Sequence, residues 1–183
     1  ALIPSDSLVL GGGAPQYDMP YKEPEYFKEL NNLDIHSLPV PSDMNDVLLK
    51  LLSSPNISSK KYVYDQYDST VRTNTILGPG GDGSVIRVKD TDIGLAISTD
   101  CNGRYVYLNP KQGGMVAVAE SARNVVCSGA QPLAITNCLN FGNPEKEKIM
   151  GQFVETINGI SQACSYLDFP VVSGNVSFYN ETK

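Results

Sequence analysis

The sequence contains no tryptophan and a single histidine, His36, among 183 residues. His36 is flanked by Ile35 and Ser37, with no partner that would set it up as a general acid or base. It reads as a surface residue, so no nucleophilic triad and no soft-metal site can be assembled around it. The four cysteines, Cys101, Cys127, Cys138 and Cys164, have no C-x-x-C spacing and are expected to be structural thiols, not metal ligands or disulfides. Basic residues are outnumbered, 14 Lys and Arg against 20 Asp and Glu, for a net charge of −6. Such a surface repels polyanions, which argues against duplex nucleic acid as a partner but leaves small phosphates open. No stretch approaches the ~18 uncharged apolar residues of a membrane span, so no membrane association is expected. The opening "ALIPSDSLVLGGG" lacks the positive start of a secretory signal, and the expected compartment is the cytoplasm. The N-x-[ST] matches at Asn56, Asn175 and Asn180 then read as coincidence.

What is present suits one ordinary domain with some surplus: at 41% hydrophobic content, a chain of this length buries roughly 70% of its unfolded surface. The texture changes near residues 30 and 60. Residues 1–28 hold a glycine triplet at 11–13, four prolines and Tyr17, Tyr21 and Tyr26, with little periodicity, as in a tail packed on something else. Residues 29–60 read as a connector with one short helix, "PSDMNDVLLKLL", in which Ser42 is the expected N-cap and Val47, Leu48, Leu51 and Leu52 share a face. From 61 onward a strand and helix rhythm predicts an α/β domain. "SVIRV" (84–88) and "GLAIST" (94–99) are expected strands, followed by a helix over "GGMVAVAESARNVVCSGA" that Gly129 ends. "PLAITN" (132–137) is an expected buried strand. Pro144 and Glu145 open a helix through Leu167, with Ile149, Phe153, Ile157, Ile160 and Cys164 facing inward and residues 145–148 solvated. "PVVSGN" is the next strand. Such a β-α-β unit places its strands parallel, so that Asn137 and Asn143 follow one strand while Gly174, Asn175 and Ser177 follow its neighbour, where ligands of open α/β sheets lie.

Two motifs carry competing readings. "GPGGDG" (78–83) satisfies G-x-G-x-x-G, but a dinucleotide fingerprint must open a helix, and the next residues are the β-branched "SVIRV". A glycine turn entering a strand is the expectation, with backbone N–H groups still free to approach a phosphate. "STDCNGRY" (98–105) places Asp100, Asn102 and Arg104 just past a strand. That mixture suits a hydrated Mg2+ and an anionic oxygen, or equally an Asx-turn with a surface arginine.

The blocks "DSTVRTNTILGPGGDGSVIRV", "STDCNGRYVYLNPKQGG", "AESARNVVCSGAQPLAITNCLNFGNPE" and "VVSGNVSFYNET" resemble the large-subunit family of phosphoribosylformylglycinamidine synthase, densely over residues 65–183 and more loosely over "GGGAPQYDMPYKEP". The resemblance implies an aminoimidazole ribonucleotide synthetase-like α/β (α+β) fold, a mixed sheet with helices on one face. Residues 1–28 would be the tail of a preceding C-terminal-type domain, and 61–183 a second N-terminal-type domain lacking its last strand. It implies a C–N ligase of purine biosynthesis, in which ATP phosphorylates the amide oxygen of formylglycinamide ribonucleotide and glutamine-derived ammonia displaces phosphate. By the same resemblance Asn137 and Gly174 would contact ATP, Asn175 would ligate Mg2+ and Ser177 would bind the substrate, with Asp100 and Arg104 as lesser candidates. The family commonly has Asp where this chain has Asn137, and often Pro where it has Gly103. The implied partners are the other half of the enzyme, a glutaminase subunit and a small accessory subunit, with a homodimer through an unpaired sheet edge as a further option. The family's catalytic histidines lie in the other half, so no catalytic residue is expected here. A non-catalytic pairing module is the alternative.

Overall fold

The computed structural model describes Leu2, residues 17–30 and residues 32–182. The glycine triplet and most of the expected N-terminal tail lie outside the described residues. The order of elements is α1 (Tyr26–Leu30), α2 (Met44–Ser53), α3 (Lys61–Tyr64), β1 (Thr75–Leu77), β2 (Ser84–Arg87), β3 (Gly94–Ile97), α4 (Gly103–Leu108), α5 (Pro110–Cys127), β4 (Ile135–Asn140), α6 (Glu147–Leu167) and β5 (Val171–Ser177).

The α/β class is as expected, and the strands divide between two sheets. β1, β2 and β3 form an antiparallel meander, while β4 and β5 pair in parallel across α6. The "GPGGDG" stretch is a turn: Gly80 has φ +102°, and the chain passes directly into β2 instead of a helix. That removes the dinucleotide reading, because no helix N-terminus comes next to receive a pyrophosphate. His36 sits exposed in a single 3-10 turn, Ile35–Ser37.

Helix boundaries depend on their caps. Asp43, not Ser42, caps α2, its carboxylate accepting from Asn45 N and Asp46 N at 2.9 and 3.2 Å. A carboxylate one residue later meets both orphan N–H groups and the positive helix end, an advantage a hydroxyl lacks. Asn109 caps α5, with Pro110 as its first helical residue. Gly129 comes just after the C-cap of α5 with φ +85°, as expected of a terminating glycine. α6 starts two residues after the expected Pro144–Glu145 and ends on Asp168, which adopts the left-handed conformation itself, φ 58°. Short polar residues tolerate that region, so no glycine is needed to stop the helix.

The core lies between α5, α6 and β4: Val118, Ala122, Leu139, Ile160, Ala163, Cys164 and Phe169, with Phe153 and Ile157 packed on it. The expected stripe of α6 therefore faces inward, but the most enclosed surface also includes Gly151, Thr156 and Gly159. Glycine matters there because the backbones touch: a Cβ on Gly114 would lie 2.7 Å from the Thr156 carbonyl oxygen. Of the cysteines only Cys164 is buried, and burial pushes its thiol pKa up; Cys101, Cys127 and Cys138 are exposed, and all four are free. Cys138 is exposed because the alternation of β4 turns it outward. Apolar strand residues are exposed as well, among them Ile76, Leu95, Ile97 and Val172.

Residues 20–27 lie against the start of α6. The Lys22 N–H donates to the Glu147 carbonyl at 3.2 Å, Pro24 is fully buried, and Tyr26 stacks on Tyr107 and receives a hydrogen bond from Gln152. The charges expected to be merely solvated at this end of α6 are paired: Lys22 with Glu147, Lys148 with Glu25 and Lys146 with Glu181. All lie at the surface, so each pair contributes about 1 kcal/mol or less.

Candidate functional site

The parallel ladder between β4 and β5 places the sequence-selected residues side by side. Asn137 pairs with Gly174, Cys138 with Asn175 and Asn140 with Ser177. The sequence reading puts Gly174, Asn175 and Ser177 beyond or at the strand ends, yet they and Asn137 all lie inside the strands, because β4 runs on to Asn140 and β5 to Ser177. β4 starts three residues later than "PLAITN", whose first residues are connector.

The alternation of a strand then sorts these residues onto two faces. Ile135, Asn137 and Leu139 turn toward α6, and Gly174 shares their side. Thr136, Cys138 and Asn140 turn away and are exposed. With Ser173, Asn175 and Ser177 on β5 they make the opposite face of this sheet small and polar. Asn137 borders an open cleft of about 560 Å3 together with Ser161, Ser165 and Asp168. The room at Gly174 on the helix side is taken by Asn137: a Cβ there would meet the amide oxygen and come within 2.8 Å of Cγ. Glycine is therefore required for the Asn137 side chain to lie flat across β5, and not only for a ligand to approach.

Beyond the strand ends, residues 177–181 fold back over residues 141–146. Phe141 N donates to the Ser177 carbonyl (3.0 Å), Asn180 N to the Phe141 carbonyl (3.1 Å) and Tyr179 N to the Gly142 carbonyl (3.0 Å). The Asn180 side-chain Nδ2 donates to Ser177 O at 2.9 Å, Phe141 O at 3.2 Å and Ser177 Oγ at 3.2 Å. Glu181 closes the rim, accepting from Asn143 N at 2.9 Å and from Lys146 Nζ at 2.6 Å. The Lys146 hydrogen bond, then the Asn143 N–H, hold the Glu181 carboxyl below its ordinary 4.5. A depressed carboxylate stabilises the rim above its unfolded pKa and loses that contribution as pH falls through the folded value. Hydrogen exchange of the Asn143 amide should therefore lose protection as pH falls below the ordinary carboxylate range, and protection that is flat with pH would contradict the clamp.

Asp100 and Arg104 stand apart, with no hydrogen bond or ion pair to the β4–β5 residues among the described residues. Asp100 Oδ1 accepts from Asn124 Nδ2 on α5 at 3.0 Å, while its Oδ2 is buried with no partner among the described residues. The Asx-turn of this segment belongs to Asn102, whose side chain accepts from Arg104 N at 3.1 Å and caps α4. Among the described residues no group of three or more His, Cys, Asp or Glu could hold a metal.

Residues 80–183 match the model of one protein family, AIR synthase related protein, N-terminal domain. The chain belongs to this family. Its relatives include the phosphoribosylformylglycinamidine synthase subunits PurL of Moorella thermoacetica, 54% identical over all of this chain and 25% of the relative, and of Aquifex aeolicus, 57% identical over 92% of this chain and 24% of the relative. The chain thus spans about a quarter of the length of the curated relatives it matches. Among solved structures it resembles PurLQS of Thermotoga maritima (TM-score 0.68, 28% identity, 93% of this chain and 25% of that one). T. maritima PurL complexed with ATP gives TM-score 0.61 at 33% identity over 69% of this chain and 21% of that one. The same protein complexed with FGAR gives 0.58 at 35% over 67% and 20%.

Within this AIR synthase-type domain, sequence reasoning misses the rim residues Asn180, Glu181 and Lys146. From sequence Asn180 reads as a chance glycosylation match and Lys146 as a solvated charge. The only signal is that Asn180 and Glu181 belong to the block "VVSGNVSFYNET" and that Lys146 directly follows "LNFGNPE", since a contact across 35 residues leaves no periodic trace.

Proposed function

We propose that this chain is part of a cytoplasmic, ATP-dependent phosphoribosylformylglycinamidine synthase and supplies nucleotide, Mg2+ and substrate contacts to a site completed by the rest of that enzyme. The observation that carries the reading is the ladder register, which brings Asn137, Gly174, Asn175 and Ser177 together on two adjacent strands. The reaction joins formylglycinamide ribonucleotide, ammonia and ATP to give the amidine, ADP and phosphate. An amide oxygen leaves poorly until phosphorylated, and transfer of the phosphoryl group needs donors and cations around its oxygens. A glutaminase subunit delivers the ammonia in this reading, with a small accessory subunit as a further partner.

Because Asn137 and Gly174 face α6 while Asn175 and Ser177 face away, one ligand reaches both pairs by lying along the outer edge of β5, on which Gly174 carries no side chain. Asn137 offers an amide to the nucleotide from the cleft side. Ser177 offers a hydroxyl to an anionic oxygen from the other.

The donor set fits Mg2+ as a partial shell. Asn175 is exposed and uses none of its side-chain amide atoms in hydrogen bonds among the described residues, leaving a hard neutral oxygen available. Among the described residues no carboxylate of β4 or β5 shares that face, so phosphate oxygens must bring the charge, as is usual for Mg2+ on nucleotides. When bound, the ion neutralises charge on the triphosphate. The buried Oδ2 of Asp100, which has no partner among the described residues, is a second oxygen of the kind a cation completes, which keeps Asp100, with Arg104 nearby in sequence, as a lesser candidate.

Asn175→Ala in the full-length synthase should weaken Mg-ATP binding about tenfold by calorimetry, the loss of one ~1.4 kcal/mol contact, and reduce turnover. Unchanged binding and turnover would remove the assignment. The alternative, a pairing module without ligand contacts, is favoured by the exposed apolar strand residues Ile76, Leu95 and Ile97. In that case polar substitutions at those three abolish activity while Asn175→Ala does not.

A further inference from the structure

We infer that Asn180 is a positioning residue that aims the Ser177 hydroxyl proton at an anionic oxygen of the bound substrate; this rests on Ser177 being a substrate contact. The orientation of the Asn180 amide is fixed by its surroundings. Two of the three acceptors around Nδ2 are backbone carbonyls, Ser177 O and Phe141 O, so the atom facing them is the nitrogen. Nδ2 has protons to give and none to take. Toward it, Ser177 Oγ at 3.2 Å can only accept, sharing the two Nδ2 protons with the two carbonyls. The hydroxyl's own proton is thereby turned away from Asn180, and no other acceptor takes it among the described residues. A serine held in this way presents its proton outward, which matches a phosphate or amide oxygen.

The rest of the rim keeps Asn180 in place. Its backbone N–H bonds the Phe141 carbonyl, and Glu181 on one side is tied to Asn143 and Lys146. Tyr179 on the other side has φ 61°, a left-handed conformation that costs a bulky residue on the order of 1 kcal/mol or more and persists only where its surroundings enforce it. Asn180 is exposed, so water could satisfy its amide. Its three contacts set the geometry of Ser177 and of the β4 exit more than they fill a core.

A double-mutant cycle in the full-length synthase tests this, with KM for formylglycinamide ribonucleotide, KM for ATP and the melting temperature read for each variant. Ser177→Ala should raise the substrate KM about tenfold, the worth of a hydrogen bond to a charged group. Asn180→Ala should raise the same KM severalfold, leave the ATP KM within twofold, and add nothing in the Ser177→Ala background. Asn180→Asp keeps the shape and the backbone N–H bond to Phe141, but turns an oxygen toward Ser177 Oγ and gives up both side-chain bonds to the carbonyls. It draws the Ser177 proton inward, and its substrate KM should be at least as high as that of the alanine variant. If Ser177→Ala leaves the substrate KM unchanged, the substrate-contact reading fails and this inference with it. If Ser177→Ala raises it but Asn180→Ala does not, or if the two effects multiply, Asn180 does not act through Ser177 and only this inference is overturned. A wild-type substrate KM in Asn180→Asp overturns it too.

Discussion

Replacing Gly159 by alanine is expected to destabilise the protein by about 2 kcal/mol, in spite of alanine's better helix propensity. Gly159 is buried where α6 crosses the first turn of α5. A Cβ there would run into the Lys111 carbonyl oxygen, with the carbonyl carbon 2.9 Å away and Cα 3.1 Å away. All three are backbone atoms of a helix, so no side chain can swing aside and the helices must separate. Overpacking costs roughly 1–3 kcal/mol or more, against a propensity gain of at most ~1 kcal/mol, and here the first wins. α6 also packs against β4 through the core, so separating the helices would be transmitted to the site. A chain of this size should lose roughly 4–8 °C in melting temperature. Gly103→Ala is the control: nothing lies within 4 Å of the added carbon at the start of α4, and stability should not change. Equal melting temperatures for the two variants would mean that the helices do not touch through Gly159.

Gly174→Ala should cost about a hundredfold in ATP affinity of the full-length synthase, ~2.8 kcal/mol. The added methyl claims the place of the Asn137 amide, whose Cγ is 2.8 Å and whose backbone oxygen is 3.3 Å from the new carbon. One substitution thus disturbs both proposed nucleotide contacts. Asn137→Ala in the same protein separates sterics from recognition. The double variant should recover most of the lost melting temperature, since only the 3.3 Å approach to the Asn137 backbone oxygen remains, and still bind ATP poorly, since the amide is gone. Recovery of ATP binding in the double variant would show that Asn137 makes no contact with the nucleotide.

Local patterns carry the element sequence. The strands "SVIRV" and "GLAIST" and the helices α5 and α6 are legible because a helix face or an alternating strand repeats within a few residues. So is the role of Gly129, whose left-handed backbone is a local requirement. Departures gather where the decisive partner is remote or competes with a near neighbour. Asp43 displaces Ser42 as a cap, β4 begins three residues further along the chain, and of the four cysteines only Cys164 is buried. The candidate site shows the same division. Sequence motifs single out Asn137, Gly174, Asn175 and Ser177, yet their position within strands, and on which face, depends on how β4 pairs with β5.

The sequence by itself determined the class of the fold, the family of the chain and the identity of its polar positions, because composition, short-range periodicity and family blocks are written in consecutive residues. Only the tertiary structure decided that Asn137 fills the space above Gly174, that Asn175 and Ser177 look the other way, and that Asn180 and Glu181 brace the rim. Each of those depends on atoms from segments 35 or more residues apart brought into contact, and such contacts are selected by packing the whole chain, which no local stretch encodes.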